Sequence, residues 1–327
     1  MPIRPGSWER WKREAGYPCA LPRAPLIAHL LREGITRLQS AGIEEARLDA
    51  ELLLASACEL PRANLLAHGS DPASPALARR FRQLLERRAS HEPVAYILGH
   101  KEFYGLDLMV DGRVLIPRPE TELLVERALG WVRDRSPSPH PASSSDTRRL
   151  RVLDVGTGSG AVALALAANL PLEVSIVALD ISAAALDVAQ ANAARHHLEG
   201  RVRFVQSDLL AQADGPADLM VANLPYVAHH EWPALAPDIA SYEPRLALDG
   251  GPDGLECIHR FFVQSPAFLA PGGAIVLEIG WRQAEAVRQM AQAAFPASSL
   301  DVHQDGAGLD RVVVVSPSAK APITAVG

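Results

Sequence analysis

Four apolar runs in the second half of the chain each end on a polar side chain. Asp154 closes "LRVLD", Asp180 closes "VSIVALD", Asp208 closes "VRFVQSD" and Asn223 closes "LMVAN". The first is followed by "VGTGSGA", with Gly156, Gly158 and Gly160 interleaved with Thr157 and Ser159. Glycines at this spacing let a chain turn tightly and bring its backbone close to a ligand. The same letters match the dinucleotide fingerprint G-x-G-x-x-A, and Asp180 follows at about the distance of the ribose-binding acid. A strand-to-helix turn without a ligand would use these glycines equally well. Asp154 discriminates between cofactors. A carboxylate there would repel a pyrophosphate, but it can serve the ammonium end of a methionine, directly or through water. Asp180 can accept from both ribose hydroxyls. Asp208 can accept from an adenine amino group, with Leu209 against the ring. Any one of these aspartates could be a loop or helix cap; the ordered series points to one nucleoside site. S-adenosylmethionine is therefore the expected cofactor, with a nicotinamide as the competing reading.

Those residues need a scaffold that gathers strand ends. From about residue 150 onward, apolar strand-like runs alternate with helical patterns: "RLRVLDVG", "AVALALAANL", "VSIVALD", "AAALDVAQANAARHH", "RVRFVQSD", "ADLMVAN", and later "GGAIVLEIG", "RQAEAVRQMAQAAF" and "RVVVVSP". This alternation predicts an α/β fold with a mostly parallel sheet covered on both faces. Ligands in such sheets sit at the carboxyl ends of the strands. Gly156, Asp180, Asp208 and Asn223 should therefore converge on one cleft.

The first third reads differently. Residues 1–24 show no clear periodicity and are expected to be an extension. Leucines recur at helical spacing from Pro25 to about residue 90, which predicts a small helical domain. Residues 91–116 are richer in aromatic and β-branched types with turn signals, and are expected to form a β-hairpin linking two domains. The catalytic domain is then expected over 117–317. A polar Ser/Pro-rich loop at 134–149 is expected to be mobile, and 318–327 to be a disordered tail.

Composition narrows the function classes. The 327 residues are 48% hydrophobic and 21% charged, with a formal net charge of -6. That balance argues against gripping nucleic acid over a broad basic surface. The basic run "RRFRQLLERR" at 79–88 is expected to be a solvated helix face. Cys19, Cys58 and Cys257 lie too far apart for a zinc motif, and no H-E-x-x-H pattern occurs, so no metal is expected. No apolar run reaches the roughly 18 residues of a membrane helix, and the start has no signal-peptide core. A cytoplasmic protein with no membrane contact is expected.

Here the sequence resembles the class I methyltransferases, and within them the HemK/PrmC family of protein-(glutamine N5) methyltransferases. The resemblance is carried by "IPRPETELLVE" (116–126), "VLDVGTGSG", "NLPYV", "YEPRLALDGGPDGLE" (242–256) and "LEIG" (277–280). It implies a seven-stranded Rossmann-like sheet and a helical domain that docks the substrate. It also implies a reaction: methylation of the glutamine in the Gly-Gly-Gln loop of peptide chain release factors. Arg118, Glu120 and Thr121 fall where the resemblance puts the lip of the active site.

The quartet Asn223, Leu224, Pro225 and Tyr226 suits that chemistry. A primary amide is a poor nucleophile and its proton is very weakly acidic, so positioning has to replace deprotonation. The Asn223 side-chain oxygen and the Leu224 carbonyl can bind the two N–H groups of the acceptor. Pro225 fixes the chain direction and Tyr226 offers an aromatic face. The usual motif of the family has proline where Leu224 stands. Asn-Leu-Pro-Tyr also occurs in enzymes that methylate adenines in RNA, which makes an N6-adenine methyltransferase the alternative. The acidic net charge, "PRPETE" and the helical domain speak against it.

Overall fold

The computed structural model describes residues 24–135 and 150–317. The expected N-terminal extension, most of the expected mobile loop and the C-terminal tail lie outside these residues. The chain divides into two compact units, at Leu98 and Gly99.

The first unit is helical: α1 (Ile27–Ser40), α2 (Ala46–Cys58), α3 (Pro75–Ala89) and the short α4 (Val94–Leu98). Leu30, Leu38, Leu53, Leu54, Phe81 and Leu85 form its core. Gly34 leaves room for the Phe81 ring, which an added Cβ would strike at 2.6 Å. Ser74 caps α3 by accepting from the Leu77 N–H. The basic run on α3 is largely neutralised. Arg80 pairs with Glu59, Arg82 with Glu33, Arg87 with Glu92, and the buried Arg88 with Asp49. Residues 94–98, expected inside the hairpin, are helical instead. Pro93 starts this turn by accepting from Tyr96 and Ile97, and burial of those two side chains outweighs their strand propensity.

The second unit opens with the hairpin strands β1 (His100–Phe103) and β2 (Leu106–Met109), followed by α5 (Thr121–Arg135). The described chain resumes with β3 (Arg151–Val155), α6 (Ala161–Asn169), β4 (Ser175–Asp180), α7 (Ala183–Arg195), β5 (Val202–Gln206) and β6 (Ala217–Asn223). It continues through α8 (Pro237–Tyr242), α9 (Glu256–Gln264), β7 (Leu269–Glu278), α10 (Ala284–Ala294), β8 (Ser298–Gln304) and β9 (Asp310–Pro317). Seven strands form one sheet in the order β5-β4-β3-β6-β7-β9-β8. Only β9 runs against the others. The order reverses between β3 and β6, the place where open α/β sheets leave a crevice.

Alternation along the strands builds two cores. Val152, Leu219, Val221, Ala274 and Val276 face the layer that contains α5 and α6. Leu153, Val155, Met220, Ala222, Ile275 and Leu277 face the layer of α9 and α10. No helix among the described residues is long and apolar enough to cross a membrane.

Asn192 on α7 ties the hairpin to the glycine loop. Its side chain accepts from the Met109 N–H at 2.6 Å and donates to the Met109 carbonyl at 3.0 Å and the Ser159 carbonyl at 2.9 Å. The residue is fully buried. Asn192→Ala would strand three backbone groups, and should cost about 1–3 kcal/mol in chemical denaturation.

Candidate active site

The carboxyl ends of β3, β6 and β7 place three polar side chains on one face of the sheet. Asp154, Asn223 and Glu278 continue the alternation of Val152, Val221 and Val276, so all three point to the side of α5. Asn223 and Glu278 are direct partners in the β6–β7 register. The start of α5 lies over them, and its positive end favours carboxylates there.

The loop after β3 turns sharply onto β4. The Gly156 and Thr157 N–H groups both donate to the Leu179 carbonyl, at 2.8 and 2.9 Å. Gly156 has φ +79°, and a Cβ on it would come within 3.2 Å of the Leu224 side chain and 3.4 Å of the Asn223 carbonyl oxygen. Only glycine lets the loop and the Asn-Leu-Pro-Tyr segment approach this closely. Gly158 and Gly160 also take positive φ, and α6 starts after Gly160.

Asp154 is buried, and its Oδ2 accepts from the Thr157 hydroxyl at 2.6 Å and the Ala163 N–H at 3.1 Å. Burial pushes its carboxyl up to about 7. Asp180 accepts from the Gly158 N–H through Oδ2 and from the Ser182 N–H through Oδ1, both at 2.8 Å. Burial raises its pKa too. Its two oxygens thus brace the glycine loop and the start of α7 while the residue lines the cleft.

That cleft runs along the strand ends. Gly156, Gly158, Asp180, Asp208, Leu209 and Asn223 lie in its wall, together with Leu224 and Pro225. A smaller chamber continues inward, walled by Arg118, Thr121, Asp154, Thr157, Ser159 and Asn223. The structure thus gathers the expected strand-end residues around one space. Asp208 is half-exposed, and its Oδ2 is taken by Arg260 of α9 at 2.5 Å. Gly160 acts from behind, as the residue before α6.

Asn223 donates through Nδ2 to the Thr121 hydroxyl at 3.2 Å. The Glu278 carboxyl lies beside Asn223 in the sheet register, and its Oε2 is buried without a hydrogen-bond partner. Glu278 is 1% exposed. Burial pushes its carboxyl up to about 7 and the Tyr226 phenol up to about 12. Tyr226 therefore stays protonated. Leu224 departs from the usual proline because its side chain joins the core beneath the site, at 2% exposure.

The segment after Tyr226 is braced by the loop around residues 248–254. Gln283 donates to the carbonyls of Tyr226 and Gly254, at 3.1 and 3.0 Å. Gly254 lies so close to the Tyr226 carbonyl that no side chain fits. The two most distinctive motifs of the sequence also meet. Arg118 of "PRPETE" pairs with the buried Glu243 of "YEPR", and Glu243 also accepts from the Ile116 N–H at 3.2 Å. Glu120 departs from expectation. It is exposed and lines a separate acidic depression with Glu122, Glu126 and Asp305. The helix start turns it outward while the next residue, Thr121, points in.

Sequence reasoning assigned no role to Glu243, Arg260 or Glu278. Glu243 and Glu278 were visible as acids inside motifs that carried the resemblance, and Glu278 ends an apolar strand. Arg260 had no signal, because its partner is 52 residues away.

A seven-stranded sheet with one reversed strand, and a cleft of acids and glycines at the switch point, define a class I methyltransferase. A family model for the PrmC N-terminal domain matches residues 29–99, and one for a methyltransferase domain matches residues 152–242. The chain is 45% identical over 287 residues to a release factor glutamine methyltransferase of Moorella thermoacetica, covering 87% of this chain and 96% of the relative. It is 40% identical over 277 residues to one of Bradyrhizobium diazoefficiens, covering 85% and 90%. The hMettl16 catalytic domain in complex with MAT2A 3'UTR hairpin 6 superposes with a TM-score of 0.51 at 16% identity, over 74% of this chain and 84% of that one, a likeness of fold. The chain belongs to the release factor glutamine methyltransferase family.

The raised pKa of Asp154 yields a stability prediction. Its ordinary value of 3.8 becomes about 7 in the folded protein. Between those values the folded state holds a proton that the unfolded chain has released. The stability from Asp154 is thus present below about pH 4 and lost as the pH rises through about 7. In the absence of cofactor, Asp154→Asn should be more stable than the parent at pH 8, by on the order of 1–4 kcal/mol. The gain should shrink as the pH falls toward 4, as read by denaturant titration at each pH.

Proposed function

We propose that this protein transfers a methyl group from S-adenosylmethionine to the side-chain amide nitrogen of the glutamine in the Gly-Gly-Gln motif of peptide chain release factors. The observation that carries this reading is the posture of Asn223. It closes β6 at the switch point, gives its Nδ2 to Thr121, and so leaves Oδ1 as the acceptor turned to the cleft. Membership of the family supports the same substrate.

The residues present fit the cofactor. Asp180 can accept from the ribose hydroxyls with the lone pairs not used for Gly158 and Ser182. Gly156 and Gly158 open the wall where a Cβ would intrude. Asp154 reaches the inner chamber, where a nearby ammonium would hold it ionised despite its burial. Leu209 and the Asp208–Arg260 pair form the far end, suited to an adenine. When bound, S-adenosylmethionine supplies an electrophilic methyl carbon on a sulfonium.

The chain's own contribution is orientation. Oδ1 of Asn223 and the Leu224 carbonyl accept the two N–H groups of the acceptor amide and aim its lone pair at the methyl. With the cofactor bound, the oriented nitrogen would take the methyl that the sulfonium supplies, the carbon–sulfur electron pair going to sulfur and the extra amide proton to solvent. Holding reactants in such a geometry is worth about 7–11 kcal/mol at best. Tyr226, with its phenol raised to about 12, does not act as a base; contrary to the expected aromatic wall, it lines a neighbouring depression with Trp281, Gln283 and Arg311 rather than the cleft. The helical unit is proposed to dock the release factor. Four of its five α3 arginines are engaged in ion pairs, which does not favour an RNA substrate.

Methylation by labelled S-adenosylmethionine of purified release factor, with ribosomal RNA as the comparison, tests the reading. Label in the Gly-Gly-Gln glutamine is expected; label in RNA alone would overturn it. Asn223→Ala should lower turnover by about 10²–10³ with cofactor affinity kept. Asn223→Asp, which keeps an acceptor, should retain more activity than Asn223→Ala. Asp180→Ala should weaken cofactor binding by roughly 1–3 kcal/mol in calorimetry.

A further inference from the structure

We propose that Arg118 is a cofactor-binding residue: it takes the carboxylate at the methionine end of S-adenosylmethionine, with Glu243 as the residue that aims it. This deepens the cofactor reading above and rests on it.

The inner chamber carries one charge of each sign. Among the described residues that wall it, Arg118 and Asp154 are the charged ones. The two do not neutralise each other. Arg118 pairs with Glu243, while Asp154 accepts from the Thr157 hydroxyl and the Ala163 N–H. A chamber lined in this way suits a ligand end that itself carries both charges. The methionine end of S-adenosylmethionine is such a group, with an ammonium and a carboxylate on one carbon. Asp154 matches the ammonium and leaves the carboxylate without a counter-charge. Arg118 is the cation that the chamber supplies for it. Ala161 and Val162, the first residues of α6, belong to the same wall. The positive end of that helix adds to the attraction for an anion.

Arg118 has donors to spare. A guanidinium offers five N–H groups in a planar fork. Among the described residues, Glu243 is the one hydrogen-bond partner of the Arg118 side chain, and it is reached through Nη2. Nε and Nη1 are left for a ligand, on a side chain that is only 30% exposed.

Glu243 accounts for the aim. Its side chain is 1% exposed, and it also accepts from the Ile116 N–H at 3.2 Å. The same carboxylate thus grips the backbone of Ile116 and the side chain of Arg118, two residues apart in the chain. That double hold keeps the guanidinium at the chamber wall. A cation already held in place gives up less side-chain freedom when a ligand arrives than a free surface arginine would.

The experiment measures affinity by calorimetry with no methyl acceptor present. The probes are S-adenosylmethionine and its decarboxylated form, which keeps the ammonium and the sulfonium and lacks the carboxylate. The parent should bind the decarboxylated form about 10–100-fold more weakly, the factor expected for losing a hydrogen bond between charged groups. Arg118→Met should weaken S-adenosylmethionine by a similar factor and leave the decarboxylated form within about threefold, so that the preference collapses. Arg118→Lys keeps the charge without the fork and should retain part of the preference. Because Arg118→Met strands the buried Glu243, a second variant combines it with Glu243→Gln. That pair removes both charges together and should show the same lost preference. Equal binding of the two forms by the parent overturns the proposal, as does an equal loss of both in the Arg118 variants. An unchanged preference together with a raised KM for release factor also overturns it, and gives Arg118 to the acceptor instead. Failure of the parent to bind S-adenosylmethionine at all overturns the cofactor reading itself. Absence of turnover on release factor touches only the acceptor, and the two affinities still decide the role of Arg118.

Discussion

The burial of polar side chains at the ends of three adjacent strands is the constraint around which this site is built. Asp154, Asn223 and Glu278 leave the sheet on one face and meet the first turn of α5. Water is largely excluded there, since Asp154 and Glu278 are each only 1% exposed. Unpaired polar groups are expensive in such a place, so each has to find a partner or do work. Thr121 is the partner of one of them, the Asn223 amide. It is also the residue that lets a helix start, rather than a loop, close over the strand ends.

The supporting parts follow from that constraint. Glycine at position 156 allows the cofactor loop to lie against Asn223 and Leu224. Asp180 stiffens the same loop from the β4 side. Gln283 and the glycine-rich turn around Gly254 hold the chain just beyond Tyr226, so the quartet cannot drift away from the sheet. Arg118 and Glu243 join the segment before α5 to the segment after α8, and fix the approach to the inner chamber. Leu224 shows how the site borrows from the core. Proline would give the same carbonyl a stiffer backbone, whereas leucine gives up some backbone stiffness and anchors the quartet by filling space beneath it.

Much of this was legible in the residue order. Glycines at turn spacing, acids at strand ends and strict alternation of strand and helix all express local physics: steric freedom, solvation at chain ends and burial on both sheet faces. Local patterns failed where tertiary contacts override them. Residues 94–98 have strand-like composition yet turn into helix because Tyr96 and Ile97 are buried. The edge strand β8, with five of its seven residues polar, carries no run that marks it as a strand. Glu120 and Thr121 are neighbours in a motif, and only the helix phase decides that one faces the solvent and the other the site.

By itself the sequence determined the fold class, the strand-end series and the quartet that follows β6, because each depends on spacing along the chain. The tertiary structure decided which of these groups share a face and which way their hydrogen bonds run. Glu278 is 55 residues beyond Asn223 in the numbering, and Thr121 precedes it by 102. Only the sheet register and the placement of α5 bring the three together. The Asn223 amide meets the Thr121 hydroxyl only through that placement, since the two lie far apart along the chain.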